Sequence, residues 1–324
     1  MLSIKELQGV VEQELQRLPI VSKPENLYLP IEYIMSLGGK RIRPVMCLAA
    51  CQLFSGDFRK AIPAAIGIEL FHNFTLLHDD IMDNAPMRRN HDTVHVKWNP
   101  NTAILSGDAM MIKALQSVAQ IDSPRFKTIL DVFNTTALEV CEGQQYDMEF
   151  EQRDDVSEAE YLEMIRLKTA VLLAGSMKIG AFIGGASNEA ANHLYAFAQN
   201  IGLAFQLQDD LLDVYGDEAQ FGKSIGGDIV ANKKTYLLIK ARELANGDQL
   251  SVMESWLHRT SFDRDEKIAA VRGVYDQLSV AEIVREKIDY FFQSAMQALV
   301  ALTIEPDDYL FFKDFATGLI QRNR

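Results

Sequence analysis

Apolar positions recur at intervals of three and four along most of the chain, the period of an amphipathic helix. In IKELQGVVEQELQRL, residues Ile4, Leu7, Val10, Val11, Leu15 and Leu18 share one side. Pro19, Pro24 and Pro30 punctuate the segment after it. PVMCLAACQLF reads as a helix opening on Pro44, because proline at the first helical position loses no hydrogen bond. A long apolar stretch from Ala61 to about Met82 predicts another helix, and NPNTAILSGDAMMIKALQSVAQI a turn and then a helix. FKTILDVFNTTALEVCEGQQYDMEF is long and helical in pattern. RDDVSEAEYLEMIRLKTAVLLAGSMKIGAF opens with Ser157 three residues before Glu160, a capping box. NEAANHLYAFAQNIGLAFQLQDDLLDVYG predicts a long helix stopped by a glycine, and VAEIVREKIDYFFQSAMQAL and YLFFKDFATGLIQRNR supply the tail. Alternating strand-type runs, low-complexity linkers and short repeats are absent from the sequence. The pattern predicts one all-α domain over residues 1–324, a large single-domain bundle of about ten helices. The loops between them fall at 84–101, 215–235 and 258–266, the second rich in glycine and basic residues.

Composition narrows the function. Of 324 residues, 48% are hydrophobic, enough for a sizeable core, and the net charge is −13. Such acidity argues against a nucleic-acid partner, which needs a basic face, and against attraction to anionic membranes. The three cysteines, Cys47, Cys51 and Cys141, do not build a disulfide framework and point to a reducing compartment. The N-terminus lacks the apolar run of a signal peptide. The most apolar region, TAVLLAGSMKIGAFIGGA, is interrupted by Lys178 and reads as too short and too glycine-rich for a membrane span. A soluble cytoplasmic protein without a transmembrane segment is expected.

Two acidic clusters stand out against this background. Asp79, Asp80 and Asp83 end the apolar helix carrying Phe71, Phe74, Leu77 and Ile81. Asp79 and Asp83 share a face, being four apart. The C-terminal end of a helix is a poor place for anions, since the macrodipole is negative there. The run lacks the glycine and terminal glutamate of an EF-hand. The one Glu-x-x-His, Glu69 to His72, has no second copy to make a di-iron site. Asp209, Asp210 and Asp213 repeat the spacing at the end of another long apolar helix. Six carboxylates brought together would repel strongly unless divalent cations neutralised them. Magnesium suits oxygen-only ligands and completes its shell with water and phosphate. Cations for phosphate are at hand: Lys40, Arg41 and Arg43 in GGKRIRP, Arg88 and Arg89 after the first cluster, Lys168 beside Thr169, Lys223 in FGKSIGGD, and Lys233 and Lys234 in NKKTY.

Together these motifs resemble the trans-isoprenyl diphosphate synthases, the head-to-tail prenyltransferases. GGKRIRP, HNFTLLHDDIMDNAPMRR, GQQYDME, KTA, FQLQDDLLDVYGD, FGKSIGGD and KKTY match in order from about Pro30 to Tyr236. The resemblance implies the isoprenoid synthase-like helical fold around a central cavity, and a homodimer. It implies about three magnesium ions per active site, on Asp79 and Asp83 with Asp80 supporting, and on Asp209 with Asp210 and Asp213. Arg88, Lys168, Lys223 and Lys233 would grip the allylic diphosphate. Lys40, Arg43, His72 and Arg89 would hold isopentenyl diphosphate, and Thr169 and Gln206 would border the developing carbocation. The glycine-rich loop 222–227 would serve as a lid.

The implied chemistry is ionisation of the allylic diphosphate, attack by the isopentenyl double bond, and proton loss to the departing pyrophosphate. Phe74 and Thr75 precede Asp79 in the helix that would line the prenyl pocket, Phe74 as a floor limiting chain length. Small Thr75 and the lack of an insertion within the first aspartate motif resemble geranylgeranyl-forming members. The expected product is geranylgeranyl or farnesyl diphosphate, the former preferred. A class I terpene cyclase would have no use for Lys40, Arg43 and Arg89, and a non-catalytic modulatory subunit would be expected to have lost aspartates or lysines.

Overall fold

The computed structural model describes residues 1–20, 22–216 and 225–321. Among these, helices dominate: α1 (Ile4–Arg17), α2 (Glu25–Ser36), α3 (Ile42–Ser55), α4 (Ile62–Met82), α5 (Val94–Lys97), α6 (Pro100–Val118), α7 (Phe126–Glu151), α8 (Glu158–Ile165), α9 (Val171–Gly184) and α10 (Asn188–Tyr215). After these come α11 (Gly227–Val230), α12 (Tyr236–Leu244), α13 (Gly247–Leu257), α14 (Arg264–Gln277), α15 (Val280–Val300) and α16 (Pro306–Ile320). A π-helical turn, Arg166–Ala170, joins α8 to α9. The all-α expectation holds.

The chain divides into two compact units. The first comprises Met1–Ala137 and Gly175–Tyr195, the second Leu138–Ala174 and Ala196–Arg324. In the first, α4 packs chiefly on α6 and also on α3. The backbones approach closely at Gly67, where a Cβ would lie 2.7 Å from Val118 Cγ2 and 2.9 Å from the Ala114 carbonyl. In the second, a core of residues such as Phe150, Leu207, Leu211, Tyr275, Val284 and Phe291 is fully or nearly buried.

Several local expectations change. Pro30 does not break the chain but lies inside α2, whose Ile31, Ile34 and Met35 are buried. Burial of that face outweighs the one hydrogen bond that proline forfeits. Pro44 is the third residue of α3, which begins at Ile42, still within the turn where no intrahelical N–H is needed. Loop 84–101 contains α5 and a two-stranded hairpin, Met87–Arg88 against His91–Asp92. Its turn residues Arg89 and Asn90 both have positive φ, as a type I′ turn requires. Helices α11 to α14 are not legible in the sequence pattern because they are short or carry a weak apolar period. The apolar stretch at 158–184 is one continuous helical run of 27 residues, long enough to span a bilayer, but 83% of its most apolar window is buried inside the protein. The N-terminal capping box at Ser157 and Glu160 is present as expected.

Candidate active site

In the first unit, α4 delivers the first aspartate cluster to its C-terminus. Asp80 is only 2% exposed, Asp79 is half-buried and Asp83 exposed. Arg88, on the first hairpin strand, offsets the unfavourable helix end. Its Nε donates to both Asp80 oxygens at 2.8 and 2.9 Å, and its guanidinium lies 3.6 Å from Asp79. Burial pushes the Asp80 carboxyl above its ordinary range, and Arg88 opposes that shift.

A basin of cations lies in the same unit. The turn Gly38–Arg41 uses positive φ at Gly38, Gly39 and Arg41. Arg41 is buried and anchors the turn from within: it donates to Glu12 at 2.7 Å, to Glu69 at 2.6 Å and to the Met35 carbonyl at 2.9 Å. Arg89 donates to the Gly38 carbonyl. A guanidinium nitrogen of Arg43 donates to His72 Nε2 at 3.2 Å, and the buried Arg43 Nε finds no partner. Burial, then Arg43, Arg89, Arg88 and Arg41, hold His72 well below its usual range. His72 is therefore neutral, and with Nε2 accepting, its proton sits on Nδ1. Arg89 is likewise lowered, by burial and then by Arg41. Like charges that depress one another while a donor stays unused are the marks of an anion site. Lys40 is exposed at its edge.

In the second unit, the π-helical turn presents Lys168 and Thr169. Gly143 of α7 lets the turn settle onto it, since a Cβ there would lie 2.2 Å from the Lys168 nitrogen. Lys168 Nζ meets Asp147 Oδ2 at 2.5 Å. Burial raises the Asp147 carboxyl, but Lys233 and Lys168 outweigh it and hold the group below its ordinary value. Thr169 Oγ1 donates to Gln206 Oε1 at 3.1 Å, and Gln206 Nε2 to Asp210 Oδ1 at 3.1 Å. The buried Tyr161 hydroxyl donates to Asp210 Oδ2. Burial and Asp228 push Asp210 up to about 7. Asp213 accepts from the Asp228 backbone N–H at 2.9 Å. Burial lifts Asp228 to about 6; Lys233 opposes this, while Asp213, Asp209 and Asp147 add to it.

The two clusters share a pattern that spacing alone did not reveal. The second aspartate of each, Asp80 or Asp210, is buried and bonded to protein groups, while Asp79, Asp209 and Asp213 are half-buried and Asp83 is exposed. Their donors are all carboxylate oxygens, and the mutual repulsion at Asp209, Asp213 and Asp228 calls for a hard cation. Among the described residues, no three His, Cys, Asp or Glu side chains form a ready-made metal cage. Lys223 and most of loop 222–227 lie outside the described residues. Sequence reasoning gave no role to Asp147, Tyr161 or Asp228. Asp147 and Asp228 lie in motifs that it quoted, whereas Tyr161 offered no signal.

A helical chain with two aspartate clusters and an arginine–histidine basin has the make-up of an enzyme acting on diphosphates. The polyprenyl synthetase family profile matches residues 24–275. A geranylgeranyl diphosphate synthase of Methanosarcina mazei is 42% identical over 242 residues, 74% of this chain and 75% of that one. A solved geranylgeranyl pyrophosphate synthase superposes with a TM-score of 0.94 at 42% identity, covering 99% of both chains. Another from Corynebacterium glutamicum, complexed with isoprenyl diphosphate and magnesium, gives 0.86 at 25% identity, covering 99% of this chain and 100% of that one. The chain belongs to the polyprenyl synthetase family. It is a prenyltransferase, and neither a cyclase nor a non-catalytic subunit is favoured.

Proposed function

We propose that this prenyltransferase condenses isopentenyl diphosphate with an allylic diphosphate, head to tail, and releases geranylgeranyl diphosphate as its main product. The observation that carries this reading is the division of labour within one chain. Two oxygen-only aspartate clusters suit a diphosphate that leaves, and a separate cationic basin with a spare donor on Arg43 suits one that stays. The whole of residues 1–324 acts as one catalytic domain.

Asp79 and Asp83 of the first unit, and Asp209 and Asp213 of the second, would hold magnesium, about three ions in all, with Asp80 and Asp210 supporting them. When bound, the ions supply counter-charge to the departing pyrophosphate, most strongly in the transition state. Lys168 and Lys233, with Lys223 and Arg88, add fixed positive charge to the same group. Lys40, Arg43, His72 and Arg89 grip isopentenyl diphosphate, His72 donating from Nδ1. Thr169 and Gln206 turn oxygen toward the allylic cation while the isopentenyl double bond attacks it. The proton then lost passes to pyrophosphate. Phe74 packs between Phe71 and His78, ring centroids 5.6 and 4.7 Å away, which supports its role as the floor of the prenyl pocket.

A second copy of the chain is the proposed partner, supported by Ile104, Leu105 and Ile112 exposed along α6. A cytoplasmic location accords with three free cysteines. The test incubates the purified protein with isopentenyl diphosphate and dimethylallyl, geranyl or farnesyl diphosphate, with magnesium or with EDTA. Magnesium-dependent elongation to geranylgeranyl diphosphate is expected. Failure to extend any starter in magnesium overturns the reading.

A further inference from the structure

We propose that Tyr161 is a positioning residue for prenyl transfer, acting through Asp210 and Gln206 on the oxygens offered to the reacting carbon. The inference rests on the function proposed above. Four side chains form one hydrogen-bonded line: Tyr161 donates to Asp210 Oδ2, Gln206 Nε2 donates to Asp210 Oδ1, and Thr169 donates to Gln206 Oε1. Each link fixes the polarity of the next. A glutamine amide fits its pocket almost equally well when flipped, and only its hydrogen bonds decide which end carries oxygen. Here the carboxylate of Asp210 decides it. A flip would set Gln206 Oε1 against Asp210 and turn the amide NH2 toward Thr169 and the cation. In the observed orientation Thr169 gives its proton to Gln206 and keeps its lone pairs for the cation.

The carboxylate can enforce this only if it is itself held. Asp210 is 4% exposed, and its donor Tyr161 belongs to a core with Leu207, Leu211, Ile165 and Tyr236. Without the Tyr161 hydroxyl, Oδ2 would lose its buried donor, and the carboxylate would turn to seek another, releasing Gln206. Tyr161 is 2% exposed and touches neither diphosphate in the proposed arrangement, so it works at one remove from the chemistry.

Tyr161→Phe removes one oxygen and keeps the ring against Tyr236, 6.3 Å away. The expected result is a kcat lower by about tenfold, KM for both diphosphates within about twofold of wild type, and unchanged product length. The decisive measurement is a double-mutant cycle with Gln206→Leu, using single-turnover rates. If Tyr161 acts through Gln206, adding Tyr161→Phe to Gln206→Leu costs less than about twofold. A purely structural role would lower the rate equally in both backgrounds, and that result, or a Tyr161→Phe enzyme of full kcat, overturns the proposal. If Tyr161→Phe does not fold, Tyr161→His, which keeps a ring N–H donor, takes its place: kcat within about threefold of wild type is expected, and a loss as large in the Gln206→Leu background as in wild type overturns the proposal. A wild-type protein without prenyl transfer refutes the function itself; an active wild type with additive variants refutes only the role of Tyr161.

Discussion

Replacing Gly143 by alanine tests how the π-helical turn presents Lys168. The new methyl group would lie 2.2 Å from the Lys168 nitrogen and 2.7 Å from the Leu167 carbonyl carbon and Lys168 Cα. Carbon atoms in ordinary contact are about 3.5–4.0 Å apart. Both partners are backbone, so no rotamer change relieves the overlap, and α7 and the turn must part by about 1 Å. Overpacking of this kind costs about 1–3 kcal/mol of stability. A shift of about 1 Å in a substrate-positioning group costs about 100-fold in rate, equivalent to about 2.7 kcal/mol of barrier. The Lys168–Asp147 ion pair at 2.5 Å is strained by the same movement. Steady-state kinetics and thermal melting read both effects. Gly67→Ala is the control: its Cβ meets Val118 Cγ2 at 2.7 Å, at the opposite end of α4 from the aspartates. It should melt lower with kcat per folded molecule unchanged. A Gly143→Ala enzyme with wild-type kcat would refute the claim that this contact places a catalytic cation.

Glu158→Gln should destabilise the protein by about 1–2 kcal/mol at neutral pH after discounting for a partly solvated side chain. Burial raises the Glu158 carboxyl, but bonds from Lys240, Lys287 and Tyr236 outweigh it and set it at about 2 against an ordinary 4.5. Because the folded value is the lower one, that stability is present above about pH 4.5 and is lost as pH falls toward 2. Melting temperatures of the two proteins across that window should converge on the acid side. Glu69→Ala leaves the Arg41 guanidinium buried with only Glu12 as counter-ion; urea unfolding should show a loss of about 3 kcal/mol, and an unchanged midpoint would contradict a buried pair. Phe74→Ala should lengthen the prenyl product, and chromatography showing the same chain length would remove Phe74 as the floor.

Periodicity made the long helices legible because their buried faces repeat over many turns. It failed for α2, where Pro30 suggested a break, and for α11 to α14, where short length or scattered apolar residues left little pattern to read. The hairpin at Met87–Asp92 was hidden by its size, four paired residues around a two-residue turn. The spacing of Arg88 after the first aspartates gives no sign that its guanidinium lies 2.8 Å from Asp80, where it balances a helix end. Arg41 is one cation among three in GGKRIRP, and its ion pairs with Glu12 and Glu69 set it apart from Lys40 and Arg43.

What the sequence by itself determined is the set of local facts: helical period, capping at Ser157, and the acidic and basic residue types at fixed short spacings. Those arise from neighbours along the chain, so they need no knowledge of distant contacts. Which carboxylates face inward, which amide end Gln206 presents, and why Gly143 must stay bare were decided only by the tertiary structure. Each depends on desolvation and on hydrogen bonds between residues remote in sequence, such as Tyr161 and Asp210, and a one-dimensional pattern does not encode that partner.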